Sequence, residues 1–217
     1  MKDIAIFGAG GFGREVACLI NSINKHIERE EDRWNLIGFF DDVKEKGFKT
    51  EFGEVLGGVA ELNLWTTPIA IAIGIGSPRA VKAISGKITN ENVSFPNLIS
   101  PDVTFYDKNS VKFGKGNIVC SQCLISCNVK IGDFNIFNNF ITVGHDVVIA
   151  DYNSIMPAAR ISGNVSLGEC NFIGVASIVL QTMKIGNNTT IGAGSVIMRK
   201  TKDGCTYVGN PAKKVEY

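Results

Sequence analysis

Fifteen residues spaced six apart (Phe113, Val119, Ile125, Ile131, Phe137, Val143, Ile149, Ile155, Ile161, Leu167, Ile173, Val179, Ile185, Ile191 and Ile197) are all Ile, Val, Leu or Phe. If such residues make up about a third of a chain, a run of this length arises by chance on the order of once in ten million, so the second half is an internal repeat. A period of six fits neither the 3.6 of a helix nor the 2 of an ordinary strand. It fits a parallel β-helix whose coil has three short sides, each turning one aliphatic residue inward. Three hexapeptides make one coil, and residues 18 apart then stack at about 4.8 Å. Asn117, Asn135, Asn153 and Asn171 have that separation, continued by Thr189, as a ladder of side-chain amides requires. Glycine often follows the inward residue, as at Gly114, Gly132, Gly168, Gly174, Gly186 and Gly192.

The first hundred residues follow another rule. Short apolar runs at 4–7, 36–42, 69–74 and 93–99 alternate with helical patterns from about Arg14 to Asn24 and from about Pro78. This alternation predicts a small Rossmann-like parallel α/β sheet over residues 1–100, followed by the β-helix and its tail over 101–217. The loop after the first strand, Gly8-Ala9-Gly10-Gly11-Phe12-Gly13, matches G-x-G-x-x-G. With a strand before it and a helix after it, such a loop presents backbone amides to a phosphate, the other reading being a tight glycine turn with no ligand. A full dinucleotide fold has two mononucleotide halves, and about 100 residues supply one and a fraction, so a nucleotide is favoured over NAD. Asp41 and Asp42 end the second strand, where a carboxylate can accept hydrogen bonds from a ribose hydroxyl or a base N–H; otherwise they simply end the strand.

Composition narrows the function classes. The net charge is +1, with 22 basic and 21 acidic residues scattered along the chain, so there is no basic stripe for nucleic acid. The longest apolar stretches, "IAIAIGIG" and "FIGVASIVL", fall short of a membrane span and contain glycine. The first residues meet charge again at Arg14 and Glu15 and show no leader pattern, which points to a cytoplasmic protein with its six cysteines reduced. Three of those thiols form "CSQCLISC" (Cys120, Cys123, Cys127). Consecutive hexapeptides run along different sides of the coil, so convergence on one metal ion is geometrically difficult and no metal is expected.

The C-terminal segment "IGAGSVIMRKTKDGCTYVGNPAKKV", with its last hexapeptides and "VGNPAK" ending, resembles the left-handed β-helix acyltransferases of the hexapeptide-repeat superfamily. With the glycine-rich α/β half in front, the whole chain resembles the sialic acid O-acetyltransferase (NeuD)/PglD-like sugar acetyltransferases. The resemblance implies acetyl transfer from acetyl-CoA to a sugar, often to the 4-amino group of a nucleotide-linked dideoxysugar. It also implies a homotrimer with active sites between neighbouring β-helices.

His145, one of two histidines with His26, lies two residues after the inward Val143, near an outward edge. Cys127 and Gly163, 18 residues away on either side, should flank it on the adjacent coils. An imidazole beside a neighbouring coil's amide can serve as base for an amine or hydroxyl nucleophile. A surface histidine at a strand edge is the plain alternative. The resemblance implies the catalytic role, since "GHD" matches the family's His followed by an acidic residue. Asp146 could orient the ring, but neighbouring strand residues point to opposite faces, so contact needs a turn there. Relatives commonly carry a second histidine nine residues further on, where this chain has Ser154. The resemblance implies that the Gly163 amide meets the acetyl carbonyl and that the nucleotide sugar lies at Gly10, Gly11, Phe12, Asp41 and Asp42; Ser154, Gly174, Lys213 and Lys214 are the further acetyl-CoA candidates. Arg199 and Lys200 join the two lysines near the last coil, as CoA phosphates or plain solvation would suit. A Cys127–His145 pair could instead form an acyl-enzyme, although the family transfers directly. N-acetylation of a nucleotide-linked amino sugar leads, with O-acetylation of sialic acid or another sugar hydroxyl as the alternative. A non-catalytic nucleotide-binding trimeric scaffold and an NAD-linked oxidoreductase are the readings from other classes.

Overall fold

The structure, a computed structural model, describes residues 1–216; Tyr217, the last residue of the expected β-helix segment and tail, lies outside the described residues. The front half comprises β1 (Lys2–Phe7), α1 (Gly11–Lys25), β2 (Trp34–Phe40), β3 (Lys49–Thr50), β4 (Gly53–Gly57), α2 (Val59–Asn63), β5 (Ile69–Ile73), α3 (Pro78–Lys87) and β6 (Val93–Ser94). Its sheet has the order β3-β4-β2-β1-β5-β6, parallel throughout except for the β3–β4 hairpin. Ile4 to Phe7 on β1 and Ile69 to Ile73 on β5 are buried without alternation, as strands covered on both faces must be. α1 packs Val16, Ala17, Leu19 and Ile20 onto one face. It starts at Gly11, three residues before the expected Arg14, because glycines at the first and third helical positions carry no helical signal.

The run at 93–99 proves to be two elements. β6 ends the α/β sheet, whereas Leu98–Ile99 already pairs with Ile118–Val119 as the first strand of the β-helix. Pro96 lies between them, and a residue without a backbone donor suits such a break. From there the chain winds as a left-handed parallel β-helix of two-residue strands. The first side stacks strands from Leu98–Ile99 to Thr190–Ile191 and ends in a hairpin, Thr206–Gly209 with Ala212–Lys214. The second side runs from Thr104–Phe105 to Val196–Ile197, and the third from Lys112–Phe113 to Lys184–Ile185.

Inside the coil, the residues from Val119 to Ile197 at period six are all buried in one cluster, with Phe113 packed against its lower end. A second inward column, including Cys123, Val129, Ile141, Val147, Ala159 and Val165, fills the corners between them. The third corner holds the amide ladder. Asn153 Oδ1, for example, accepts from the backbone N–H and the side-chain Nδ2 of Asn171, both at 3.0 Å. The ladder begins one rung earlier than expected, at Asn97, and ends where Thr189 N–H meets Asn171 Oδ1 at 2.6 Å.

The α/β half sits on the first side of the β-helix. Leu98, Ile118 and Cys120 join the cluster under α1, while Phe134 and Ile136 join Phe7, Val81 and Ile84. Phe134 stacks on Tyr152 at 5.6 Å and meets Phe95 edge-on at 5.0 Å; Lys82 of α3 pairs with Glu169 at 2.9 Å. Among the described residues no helix is long and apolar enough to cross a membrane.

Replacing Asn153 with Ala strips the acceptor from two buried donors of Asn171. Each donor left unpaired costs about 1–3 kcal/mol, so Asn153→Ala should destabilise the fold by roughly 2 kcal/mol or more in chemical denaturation. The outward Ser166→Ala should stay within about 0.5 kcal/mol. Equal midpoints for the two variants would show that the ladder contributes nothing.

Candidate active site

His145 and Asp146 occupy the edge between the second and third sides. Asp146 has φ +57°, in the left-handed region. That turn supplies what an extended strand denies: it brings Asp146 Oδ2 to 2.8 Å from the Nδ1 of its own neighbour, His145. The other carboxylate oxygen accepts from Asn128 Nδ2 at 3.3 Å, one coil earlier. Hydrogen bonds from His145 and then Asn128 hold the Asp146 carboxyl below its ordinary range. An ionised carboxylate only accepts, so His145 Nδ1 carries the proton and the Nε2 lone pair is left for a reacting group. Both side chains are about half exposed, at 53% and 54%.

Gly163 lies on the next coil, directly against the ring. A Cβ there would stand 2.6 Å from His145 Nε2, so only glycine leaves the imidazole in place. Cys127 lies on the coil before, its carbonyl accepting from Asp146 N–H at 3.0 Å. The other thiols of "CSQCLISC" point elsewhere. Burial under α1 pushes Cys120 up to about 12, and burial inside the coil pushes Cys123 up to about 11. Among the described residues no group of His, Cys, Asp or Glu is arranged to hold a metal ion.

The remaining expected residues are not gathered around His145. Ser154 is 1% exposed on the first side, between Ile136 and Phe172, with its hydroxyl unpaired. Gly174 is on the edge between the first and second sides, where a Cβ would meet Ala193 N and Ile191 O at 2.6 Å. Lys213 and Lys214 line a hollow of about 260 Å³ at the last coil with Arg199, Lys200 and Tyr207. In the α/β half, Gly10 and Gly11 face open space, and Phe12 sits in the first turn of α1. The two aspartates differ. Asp41 gives one oxygen to Ala9 N–H and the other to the amides of Val43 and Lys44. Burial alone would raise its pKa, but those three amides and the Lys44 charge outweigh it and the net shift is downward. Asp42 gives one oxygen to Val59 N–H, and its other oxygen accepts no hydrogen bond from the described residues.

Between the halves opens a cleft of about 550 Å³ that sequence reasoning did not find. Gly76, Ser77, Pro78 and Arg79 form one wall; Met156, Cys170, Phe172, Asn188 and Thr190 form the other. Phe172 and Thr190 are register partners, so the 18-residue period alone could have put them in one column, but nothing in the sequence pairs that column with α3. Asn128 was equally within reach, 18 residues before Asp146. In a three-sided coil each edge lies opposite one side. The His145 edge is opposite the first side, which bears the cleft, so one chain does not bring the imidazole and the cleft together.

A family model described as the PglD N-terminal domain matches residues 3–88. Among solved structures, the acetyltransferase domain of PglB from Neisseria gonorrhoeae FA1090, in complex with acetyl coenzyme A, is 30% identical over 99% of this chain and 99% of its own, with a TM-score of 0.87. PerB from Caulobacter crescentus, in complex with CoA and GDP-perosamine, is 26% identical over 100% of this chain and 98% of its own, with a TM-score of 0.85. WeeI from Acinetobacter baumannii AYE is 25% identical over 99% and 100%, with a TM-score of 0.86. No curated protein sequence matches the chain.

The contact between Gly163 and the ring can be tested without any reaction. Gly163→Ala should displace His145 and lengthen its bond to Asp146, so the Asp146 carboxyl should titrate higher than in the unmodified protein. Carbon-detected NMR titration of the carboxylates reads this directly; an unmoved Asp146 would mean that the glycine does not hold the dyad.

Proposed function

The chain belongs to the PglD-like family of sugar acetyltransferases, and on that premise we propose that it moves the acetyl group of acetyl-CoA to the amino group of a nucleotide-linked amino sugar. His145 is the general base. Its Nε2 takes a proton from the neutral amine as the nitrogen attacks the thioester carbonyl; the C–S bond then breaks and CoA leaves as the thiol once protonated. Asp146 fixes the tautomer and stabilises the imidazolium, and the Gly163 amide faces the oxygen that gains negative charge. Transfer is direct, with Cys127 outside the covalent route. The cationic hollow of Arg199, Lys200, Lys213 and Lys214 suits the phosphates of CoA.

The observation that carries this reading is the opposition of the dyad and the cleft. A base on one edge and an acceptor cleft on the far side make sense when the cleft of one copy meets the His145 edge of the next. The second side supports such an assembly, because its flanking edges expose Phe140, Val175, Leu180 and Met198 at 38–56%. A homotrimer of this chain covers them and completes three sites. The nucleotide sits at Gly10, Gly11 and Phe12, with Asp42 as the acceptor for ribose or base, since both oxygens of Asp41 are already engaged. The bound relatives, PglB with acetyl coenzyme A and PerB with CoA and GDP-perosamine, support both co-substrates.

His145→Ala should lower kcat by about 10²-fold or more while acetyl-CoA affinity stays nearly unchanged. Asp42→Ala should raise KM for the nucleotide sugar far more than for acetyl-CoA. Dissociating the two variants and reassembling them together should recover activity, because mixed trimers contain sites that draw His145 from one copy and Asp42 from another. No recovery, or a fully active monomer by light scattering, would sink the shared site.

A further inference from the structure

The corners of the His145 edge share one hydrogen-bond pattern, and the corner nearest the start of the β-helix breaks it. Asp146, Asn164 and Thr182 each donate the backbone N–H to a carbonyl of the coil before (Cys127, His145 and Gly163) at 2.8–3.0 Å. Asn128, left-handed like them at φ +55°, donates instead to a side chain, Ser110 Oγ, at 2.9 Å. A bulge in the first coil is the reason. Phe105 pairs with Ile125 and Lys112 with Lys130, so residues 106–111 span an edge that the next coil crosses with 126–129. The extra length forms a single 3-10 turn, Lys108–Ser110, capped by Asp107 Oδ1, which accepts from Asn109 N–H at 3.1 Å. Ser110 Oγ donates its proton to Asp107 O at 3.0 Å and so meets Asn128 N–H with a lone pair.

The bulge lies two coils before the dyad, and hydrogen bonds connect the two. Asn128 Nδ2 reaches Asp146 Oδ1 at 3.3 Å, and Asp146 Oδ2 holds His145 Nδ1 at 2.8 Å. The first of these is at the long end for a hydrogen bond, so a shift of Asn128 by a few tenths of an ångström breaks it. Burial does not keep Asn128 in place: it is exposed, beside a hollow of about 530 Å³ shared with Ser110, Lys112, Lys130, Asp146 and Val148. Its own backbone tie to the coil before is the bond to Ser110.

We propose that Ser110 is a positioning residue for the dyad. The bulge holds Asn128, Asn128 holds Oδ1 of Asp146, and Asp146 keeps Oδ2 on Nδ1 of His145, so that Nε2 stays the free nitrogen. Ser110 touches no reacting atom. A hydroxyl donates and accepts at once, so it closes the turn and receives Asn128 together, which alanine cannot do. The proposal rests on the reading of His145 as base and extends the support of that base to the first coil.

Ring ¹⁵N spectra of the full chain at alkaline pH, with the His145 signals assigned by their loss in His145→Ala, read the tautomer without any reaction. The unmodified protein should hold the Nδ1–H form. Ser110→Ala should move weight to the Nε2–H form and lower kcat for CoA release with a nucleotide-linked amino sugar about 3- to 10-fold, the size of one hydrogen bond's net contribution, with KM for acetyl-CoA unchanged. Ser110→Thr, which keeps the hydroxyl, should restore both. Asn128→Ala suits the corner, since Ala158 and Ala176 adopt the same conformation at φ 60° and 53°, and it should shift the tautomer as Ser110→Ala does. The double variant should be no worse than Asn128→Ala alone, because the two residues act through one path. An unmoved tautomer in Ser110→Ala, or losses in kcat that add in the double variant, overturns the proposal and leaves His145 standing as base. A tautomer that moves while His145→Ala keeps near-unmodified turnover overturns the base reading and, with it, any catalytic role for Ser110.

Discussion

From Gly116 to Gly194 every corner of the β-helix depends on a residue in the left-handed backbone region. From Gly116 to Gly194 each sixth residue has φ between 52° and 68°, and twelve of them are not glycine. Such a conformation costs an L-residue about 1 kcal/mol. The coil offsets this through the neighbouring coil. The left-handed residue donates its N–H to the preceding coil, as Asp146 does to Cys127, Asn164 to His145 and Cys170 to Asp151, at 2.8–3.0 Å. With strand amides bonded to the following coil, the corner amides are paired as well, and a left-handed corner becomes the condition for a closed three-sided ladder. The period of six in the sequence is the trace of that requirement.

The same corner creates the His145–Asp146 pair. In an extended strand His145 and Asp146 would point to opposite faces. At the corner, the left-handed Asp146 turns its carboxylate back onto the preceding imidazole, and the stacked Asn128 and Gly163 fix it from the coils on either side. The dyad thus uses a conformation that the fold already imposes at thirteen other corners, so no special strain at 146 has to be invoked. What singles out this corner is the pair of side chains and the glycine against the ring.

Legibility in the sequence followed periodicity. The inward column, the amide ladder and the place of His145 near an edge were all legible, because stacking by 18 turns a linear spacing into a contact. The G-x-G-x-x-G loop was legible for a similar reason, as its geometry is local. The start of α1 was hidden by its glycines, β4 and α2 by their brevity, and the division of 93–99 by an apolar run that serves two sheets. The cleft was illegible for a different cause. Its walls come from residues 76–79 and 156–190, and no repeat or propensity links the two; only burial of Ile136, Phe134 and their neighbours against the α/β half sets them face to face.

Paired acidic residues show the limit of motif reading most clearly. Asp41 and Asp42 look alike in the sequence, yet Asp41 spans the loops on either side of the crevice, joining Ala9 after β1 to Val43 and Lys44 after β2. It is the more deeply placed of the two and is saturated with backbone donors, so a ligand gains nothing from it directly. It ties the glycine loop to the turn after β2, while Asp42 beside it accepts only from Val59 N–H among the described residues. The β-helix repeats this division: Asn128 and Gly163 flank the His145–Asp146 pair from the coils on either side. In both halves an exposed side chain, Asp42 or His145, stands beside a partner within the same motif or one coil away. The His145 edge and the cleft still lie on opposite sides of the coil in one chain, so the fold that builds each of them does not by itself bring them together.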